Sequence, residues 1–298
     1  MKKVILFLCL LLSSVVKGQI YCGTITTSNN PVSGLMCGSG GNYDAVALRI
    51  YMHVIRTTNG MRGLTEEQVF DVAEVLDNDF NPHGIYFAWD GCIDYIDNND
   101  YYDTVDKQQL FNINNSSDGI DLYLWDERAK GFPGGSVGEV GQIGNTTLWV
   151  GGTAPGGGPM ALTSTASHEL AHILVLYHTS ENGFCDEAID GSNSINCGDL
   201  VCDTPADPLL GGFNIDRNCV YQGTITDPNG RPYAPSSNNI MSYAPSTCRR
   251  LITQDQAARV RFFNDRDNSY LINECDFYPD YAVDFDGPSS LNVTGGQQ

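Results

Sequence analysis

One stretch constrains this chain more than any other: His168-Glu169-Leu170-Ala171-His172-Ile173-Leu174-Val175-Leu176-Tyr177-His178. Its apolar residues predict a helix. A helix advances about 100° per residue, so His168 and His172, four apart, share a face one turn apart. Two imidazoles so placed can hold one Zn²⁺, and Glu169 beside them can act on a metal-bound water. HExxH alone is short enough to arise by chance. His178 adds weight, because the chain has five histidines and three of them fall in these eleven residues.

His178 also imposes a geometric condition. In a continuous helix it would point about 80° away from His168 and sit about 15 Å further along the axis. To share a metal, the chain must leave the helix after His172 and turn back. Glycine makes such turns without steric cost. Here the position is Val175, whose β-branched side chain disfavours φ > 0 by on the order of 1–2 kcal/mol. Metal binding worth about 10 kcal/mol or more can offset that, so His178 is expected to ligate with Val175 off the helix.

Residues 1–18 read as a secretory signal, with Lys2 and Lys3 before an apolar run from Val4 to Val16 that is too short for a confident membrane span. Export fits the cysteines. Cys9 leaves with the leader, and nine remain for an oxidising compartment, an odd number that leaves at least one unpaired within the chain. The balance is acidic. Loss of Lys2, Lys3 and Lys17 leaves 13 Lys and Arg against 36 Asp and Glu, a net charge near −23. That excludes nucleic acid and anionic membranes as natural partners, and suits calcium binding or a preference for basic residues in a substrate.

Four segments follow from the signal. Residues 19–43 are an irregular lead-in or short propeptide, 44–275 a catalytic domain, and 276–298 an acidic, Gly/Ser-rich tail. Within the domain, 45–57 alternates as a strand, which turns His53 away from the apolar face and makes it a surface residue. Thr65 to Gln68 is a capping box opening a helix that Pro82 and Gly84 end. Residues 85–89, 120–125 and 145–150 read as further strands, 94–103 as an acidic loop, and 131–144 as a glycine-rich segment without a phosphate-binding pattern. After His178 the chain becomes loop-rich and cysteine-bearing, until a second capping box at Thr253 opens a last helix with Ala257, Val260 and Phe263 inward. The expected class is α/β (α+β): a mixed twisted sheet packed on two helices, above an irregular, disulfide-stapled lower subdomain with a C-terminal helix.

Over residues 45–265 the chain resembles the pappalysin family of metzincin metallopeptidases, the relatives of pregnancy-associated plasma protein A. The resemblance rests on HExxHxxxxxH running on as Leu176-Tyr177-His178-Thr179, on Gly198-Asp199-Leu200-Val201-Cys202-Asp203-Thr204-Pro205, and on Asn239-Ile240-Met241-Ser242-Tyr243, with Cys248 a short step beyond. It implies a secreted zinc-dependent endopeptidase. His168, His172 and His178 would ligate zinc, and Glu169 would activate the zinc-bound water. Met241 would floor the histidines, and Tyr243 would stabilise the oxyanion. A Cys219–Cys248 disulfide is implied. So is a calcium site in the lower part, for which Asp199, Asp203 and Thr204 offer hard oxygens. The strand 145–150 would be the sheet edge that binds peptide substrate as an added strand. Cys22 or Cys37 would cap the zinc in a latent zymogen.

Two other readings stay open. A zinc hydrolase with a glutamate as third ligand needs one on a downstream helix, whereas Glu181 and Glu187 are near and in loop sequence. An inactive binding or adhesion module on the same fold draws support from Val175 alone and is opposed by Glu169.

Overall fold

The computed structural model describes residues 21–22, 44–103, 107–127, 136–181 and 185–266. The expected leader, Cys37 and the tail lie outside the described residues. In chain order the elements are β1 (Tyr21–Cys22), β2 (Val46–Arg56), α1 (Glu66–Phe80), β3 (Ile85–Ala88), β4 (Ile93–Asp97), α2 (Asn99–Asp103), α3 (Lys107–Leu110), β5 (Ile120–Leu124), β6 (Ser136–Val140), β7 (Thr147–Val150), α4 (Ser164–Ile173) and α5 (Gln254–Arg266). One seven-stranded sheet runs β1-β6-β7-β5-β2-β3, with β4 also paired to β2. All pairs are parallel except β6 with β7.

The alternation in β2 does what its pattern requires. Val46, Leu48, Ile50, Met52 and Val54 enter the main core together with Val69, Val72, Leu76 and Phe80 of α1. Each such side chain contributes about 1.5–3 kcal/mol by leaving water. Thr65 and Gln68 form the expected capping box, and Gly84 ends the following turn at φ 69, a conformation L side chains resist. α4 packs against α1 and beneath β6 and β7. The opposite face of the sheet has its own cluster, in which Ile55, Tyr123, Trp125 and Trp149 meet Tyr102 of α2 and Leu110 of α3.

Three local expectations are corrected. Residues 94–103 are not a loop: they hold most of β4 and all of α2, whose start is capped by Asn98 Oδ1 accepting from Asp100 N. The glycine-rich segment contains β6, a strand made by pairing with β7 rather than by hydrophobic alternation. That pairing moves β7 into the sheet interior, so 145–150 is not the edge; β6 is the outer strand, and β1 lies on it.

The lower part has no helix or strand between α4 and α5 among the described residues. Cys185–Cys197 and Cys219–Cys248 staple it, and Cys202 is also disulfide-bonded. α5 opens with the second capping box: Thr253 Oγ1 accepts from Gln256 N at 3.2 Å, and Gln256 Oε1 accepts from Thr253 N at 2.9 Å.

His53 is not at the surface. It is 3% exposed, stacked on Tyr123 and held between Asp94 Oδ2 at 2.8 Å and Asp121 Oδ1 at 2.9 Å. Burial alone would push its pKa down; the hydrogen bonds and charges of Asp121 and Asp94 outweigh this and raise it. A raised folded-state pKa adds stability that is fully present below the unfolded value of about 6.5. It is lost as pH rises through the folded value. The urea midpoint of wild type should therefore exceed that of His53→Gln by more at pH 5.5 than at pH 8.5. An equal gap at both pH values contradicts a charged His53.

Candidate metal centre

Thr163 opens α4 by accepting from Thr165 N with its side chain, and the helix stops at Ile173. Val175 stands at φ 64. Its N–H donates to His172 O at 3.1 Å, and Leu176 N–H donates to Ala171 O at 2.9 Å. This pair of bonds is a Schellman closure with valine in the left-handed position that glycine usually takes. Two contacts brace it. Arg259 Nε of α5 donates to Val175 O at 3.0 Å, and Gly144 N donates to His172 O at 3.1 Å.

The reversal brings three imidazoles together. His168 and His172 are fully buried, and His178 is 4% exposed. Ring centroids lie 4.9 Å apart for His168–His172, 5.1 Å for His168–His178 and 4.4 Å for His172–His178. Their outer atoms are set by hydrogen bonds from the opposite nitrogens: His168 Nδ1 to Ile240 O at 2.7 Å and His172 Nδ1 to Leu176 O at 2.8 Å. Both carbonyls accept only, so each Nδ1 carries the proton and each Nε2 offers a lone pair. His172 Nε2 and His178 Nε2 are 3.0 Å apart, and His168 Nε2 is buried with no hydrogen-bond partner. Two nitrogens on a tetrahedral Zn²⁺ would be about 3.3 Å apart. Burial is the largest cause lowering all three pKa values, that of His172 to about 4. At neutral pH they are uncharged, the form that ligates.

A fourth donor joins them. The Cys22 sulfur lies 3.6 Å from His172 Nε2 and donates to Glu169 Oε2 at 3.4 Å. One ligand atom from each of Cys22, His168, His172 and His178 falls within 4.8 Å of the others. β1 carries Cys22 there by pairing with β6, Cys22 opposite Gly138. Gly138 is needed for a second reason. A Cβ on it would stand 2.6 Å from both Cγ and Oε1 of the buried Glu169. β6 can approach the carboxylate this closely only without a side chain.

Met241 is fully buried beside the histidines, and its carbonyl accepts from Thr179 N at 3.1 Å. Asn239 Oδ1 accepts from Met241 N, and Asn239 Nδ2 donates to Gln256 of α5, so the turn is tied to the last helix. The Tyr243 ring stacks on His178 at 4.4 Å. The oxygen cluster of the lower part is assembled differently from the expectation. Asp199 Oδ1 accepts from Thr204 Oγ1 and Val201 N. Asp203 turns away and accepts from Thr253 Oγ1 at 2.6 Å and Asp255 N at 2.9 Å, which makes it a cap of α5. Glu187 packs against Gly198, the neighbour of Asp199, where its carboxylate fills the space a Cβ would need; burial is the main cause raising Asp199, and Glu187 is the next. The sequence raised Glu187 only as a zinc ligand and gave no sign of Gly138 or Arg249, whose spacing carries no signal before the fold brings them in.

Residues 159–265 match the family described as pregnancy-associated plasma protein-A. An extracellular metalloprotease of Podospora anserina is 26% identical over 247 residues, 78% of this chain and 78% of its own. One of Verticillium alfalfae is 29% identical over 241 residues, 75% of this chain and 78% of its own. In fold the chain is similar to mature mirolysin of Tannerella forsythia, solved with a cleaved peptide. That likeness has a TM-score of 0.52 at 16% identity, over 76% of this chain and 94% of that one. The fold and the site thus define a metallopeptidase. Residues 159–265, which match that family's model, hold the three histidines, Met241 and Tyr243.

Gly138→Ala is expected to lower peptidase activity by roughly 10²-fold, because it displaces Glu169 by about an ångström. The circular dichroism spectrum should be unchanged. Activity within threefold of wild type would contradict the close approach.

Proposed function

We propose that the chain is a secreted zinc endopeptidase, held latent by its own lead-in. One observation carries the reading: three buried imidazoles and the Cys22 thiol converge on a point beside Glu169. His168, His172 and His178 would hold zinc through Nε2. Bound there, zinc supplies Lewis acidity toward the scissile carbonyl and eases deprotonation of water.

The chain's own groups do the rest. Glu169 accepts a proton from the attacking water and delivers it to the leaving amine nitrogen. Burial, with the charges of Cys22 and Glu169 behind it, holds the Tyr243 phenol well above its ordinary pKa. It therefore stays protonated and donates to the oxyanion. Met241 supplies the apolar floor that keeps the imidazoles oriented. An extended substrate takes the place of β1 on the edge of β6, exchanging main-chain hydrogen bonds there. Cys22 would block that place twice, with its sulfur against His172 Nε2 and Glu169 and with its backbone on the strand edge.

A Ca²⁺ in the lower part fits two more orphaned groups. Asp199 Oδ2 and Glu187 Oε2 are buried without hydrogen-bond partners, and burial raises Glu187 to about 7. A hard cation held by Asp199, Glu187 and Thr204 would satisfy both carboxylates and hold both ionised.

The test is cleavage of a mixed peptide library by zinc-loaded full chain. Cys22→Ala should cut without loss of the lead-in, while wild type stays slow until processed. A chelator should stop cleavage, and Glu169→Ala in the Cys22→Ala background should cut roughly 10²–10⁴-fold more slowly. Intact peptides after exposure to zinc-loaded Cys22→Ala overturn the endopeptidase reading. Equal rates for Cys22→Ala and unprocessed wild type overturn latency alone.

A further inference from the structure

Arg249 follows Cys248, which the disulfide to Cys219 anchors. Its Nη2 donates to Thr165 Oγ1 at 2.9 Å, on the turn of α4 that precedes His168. Its Nε is buried and has no hydrogen-bond partner, while the residue as a whole is partly exposed. The guanidinium lies within electrostatic range of all three histidines and of Tyr243. Burial lowers its own pKa to about 10, against the opposing pull of Glu169, Cys22, Asp79 and Tyr243, so it is charged at neutral pH. Of the carboxylates in that range, Asp79 is engaged by Ser167 Oγ at 2.6 Å. Glu169 is the proton carrier of the proposed reaction.

A buried guanidinium with an unused donor is costly unless a partner completes it. Its planar fork matches a carboxylate with two parallel hydrogen bonds. Resting on the endopeptidase reading above, we infer that Arg249 is a specificity-determining residue that selects substrates with an Asp or Glu side chain directly beside the scissile bond. This reverses the expectation from composition. The net charge of −20 acts on a substrate through solvent and is screened beyond about 8 Å at physiological salt. Arg249 acts at contact distance in a partly desolvated site, where it decides which side chain is accepted.

The test uses zinc-loaded full chain carrying Cys22→Ala, for cleavage, and the same protein with Glu169→Gln added, for binding. Cut sites in a mixed library should be enriched in Asp and Glu on one flank. Asp-rich peptide pools should bind at least tenfold tighter than matched Asn-rich or Lys-rich pools. Arg249→Gln should remove that preference, and Arg249→Lys should restore part of it. Cleavage with no acidic enrichment overturns the inference and leaves the endopeptidase reading standing. An acidic preference in binding without any cleavage does the reverse. Equal binding of the three pools overturns the inference whatever the cleavage result.

Discussion

The site depends on a backbone reversal at a residue poorly suited to it. Valine at φ 64 costs on the order of 1–2 kcal/mol. The structure over-determines the turn. Two Schellman bonds close it, Arg259 grips its carbonyl, and His172 Nδ1 bonds to Leu176 O within the turn. Each net hydrogen bond adds about 1 kcal/mol, so together they exceed the strain before any metal is counted. Arg259 lies on α5, 84 residues away in sequence, so the last helix helps set the histidine cluster although it supplies no histidine.

The second constraint is the edge of the sheet. An outer strand with unpaired backbone groups invites pairing. Here β6 presents that edge directly above Glu169, with Gly138 allowing the approach. The chain's own Tyr21–Cys22 takes the pairing and carries a thiol to the histidines. On the proposed reading, substrate binding and its prevention use the same main-chain groups, and one displacement would expose both the strand edge and the three histidines.

Much of this was legible in the sequence where local chemistry decides it. Capping boxes at Thr65 and Thr253, alternation in β2 and the five-residue gap between His172 and His178 each carry their own geometry. What was not legible depends on pairing or long-range packing. β6 lacks a hydrophobic alternation and becomes a strand only beside β7, which displaced the expected edge by one strand. His53 read as a surface residue because its face of β2 is polar; Asp94 and Asp121, far along the chain, bury it. The family resemblance cast Asp203 as a cation ligand, but its carboxylate accepts from Thr253 and Asp255 at the start of a helix fifty residues on. Arg249 and its neighbour Arg250 look alike in sequence, and only the fold directs the first toward α4.

The most direct measurement is X-ray absorption at the zinc edge of the full chain loaded with one zinc. The account predicts three imidazole nitrogens at about 2.0–2.1 Å and one sulfur at about 2.3 Å, the sulfur replaced by oxygen in Cys22→Ala. Two imidazoles, with the spectrum unchanged by His178→Ala, would contradict it, because the reversal at Val175 would then bring no third ligand to the metal.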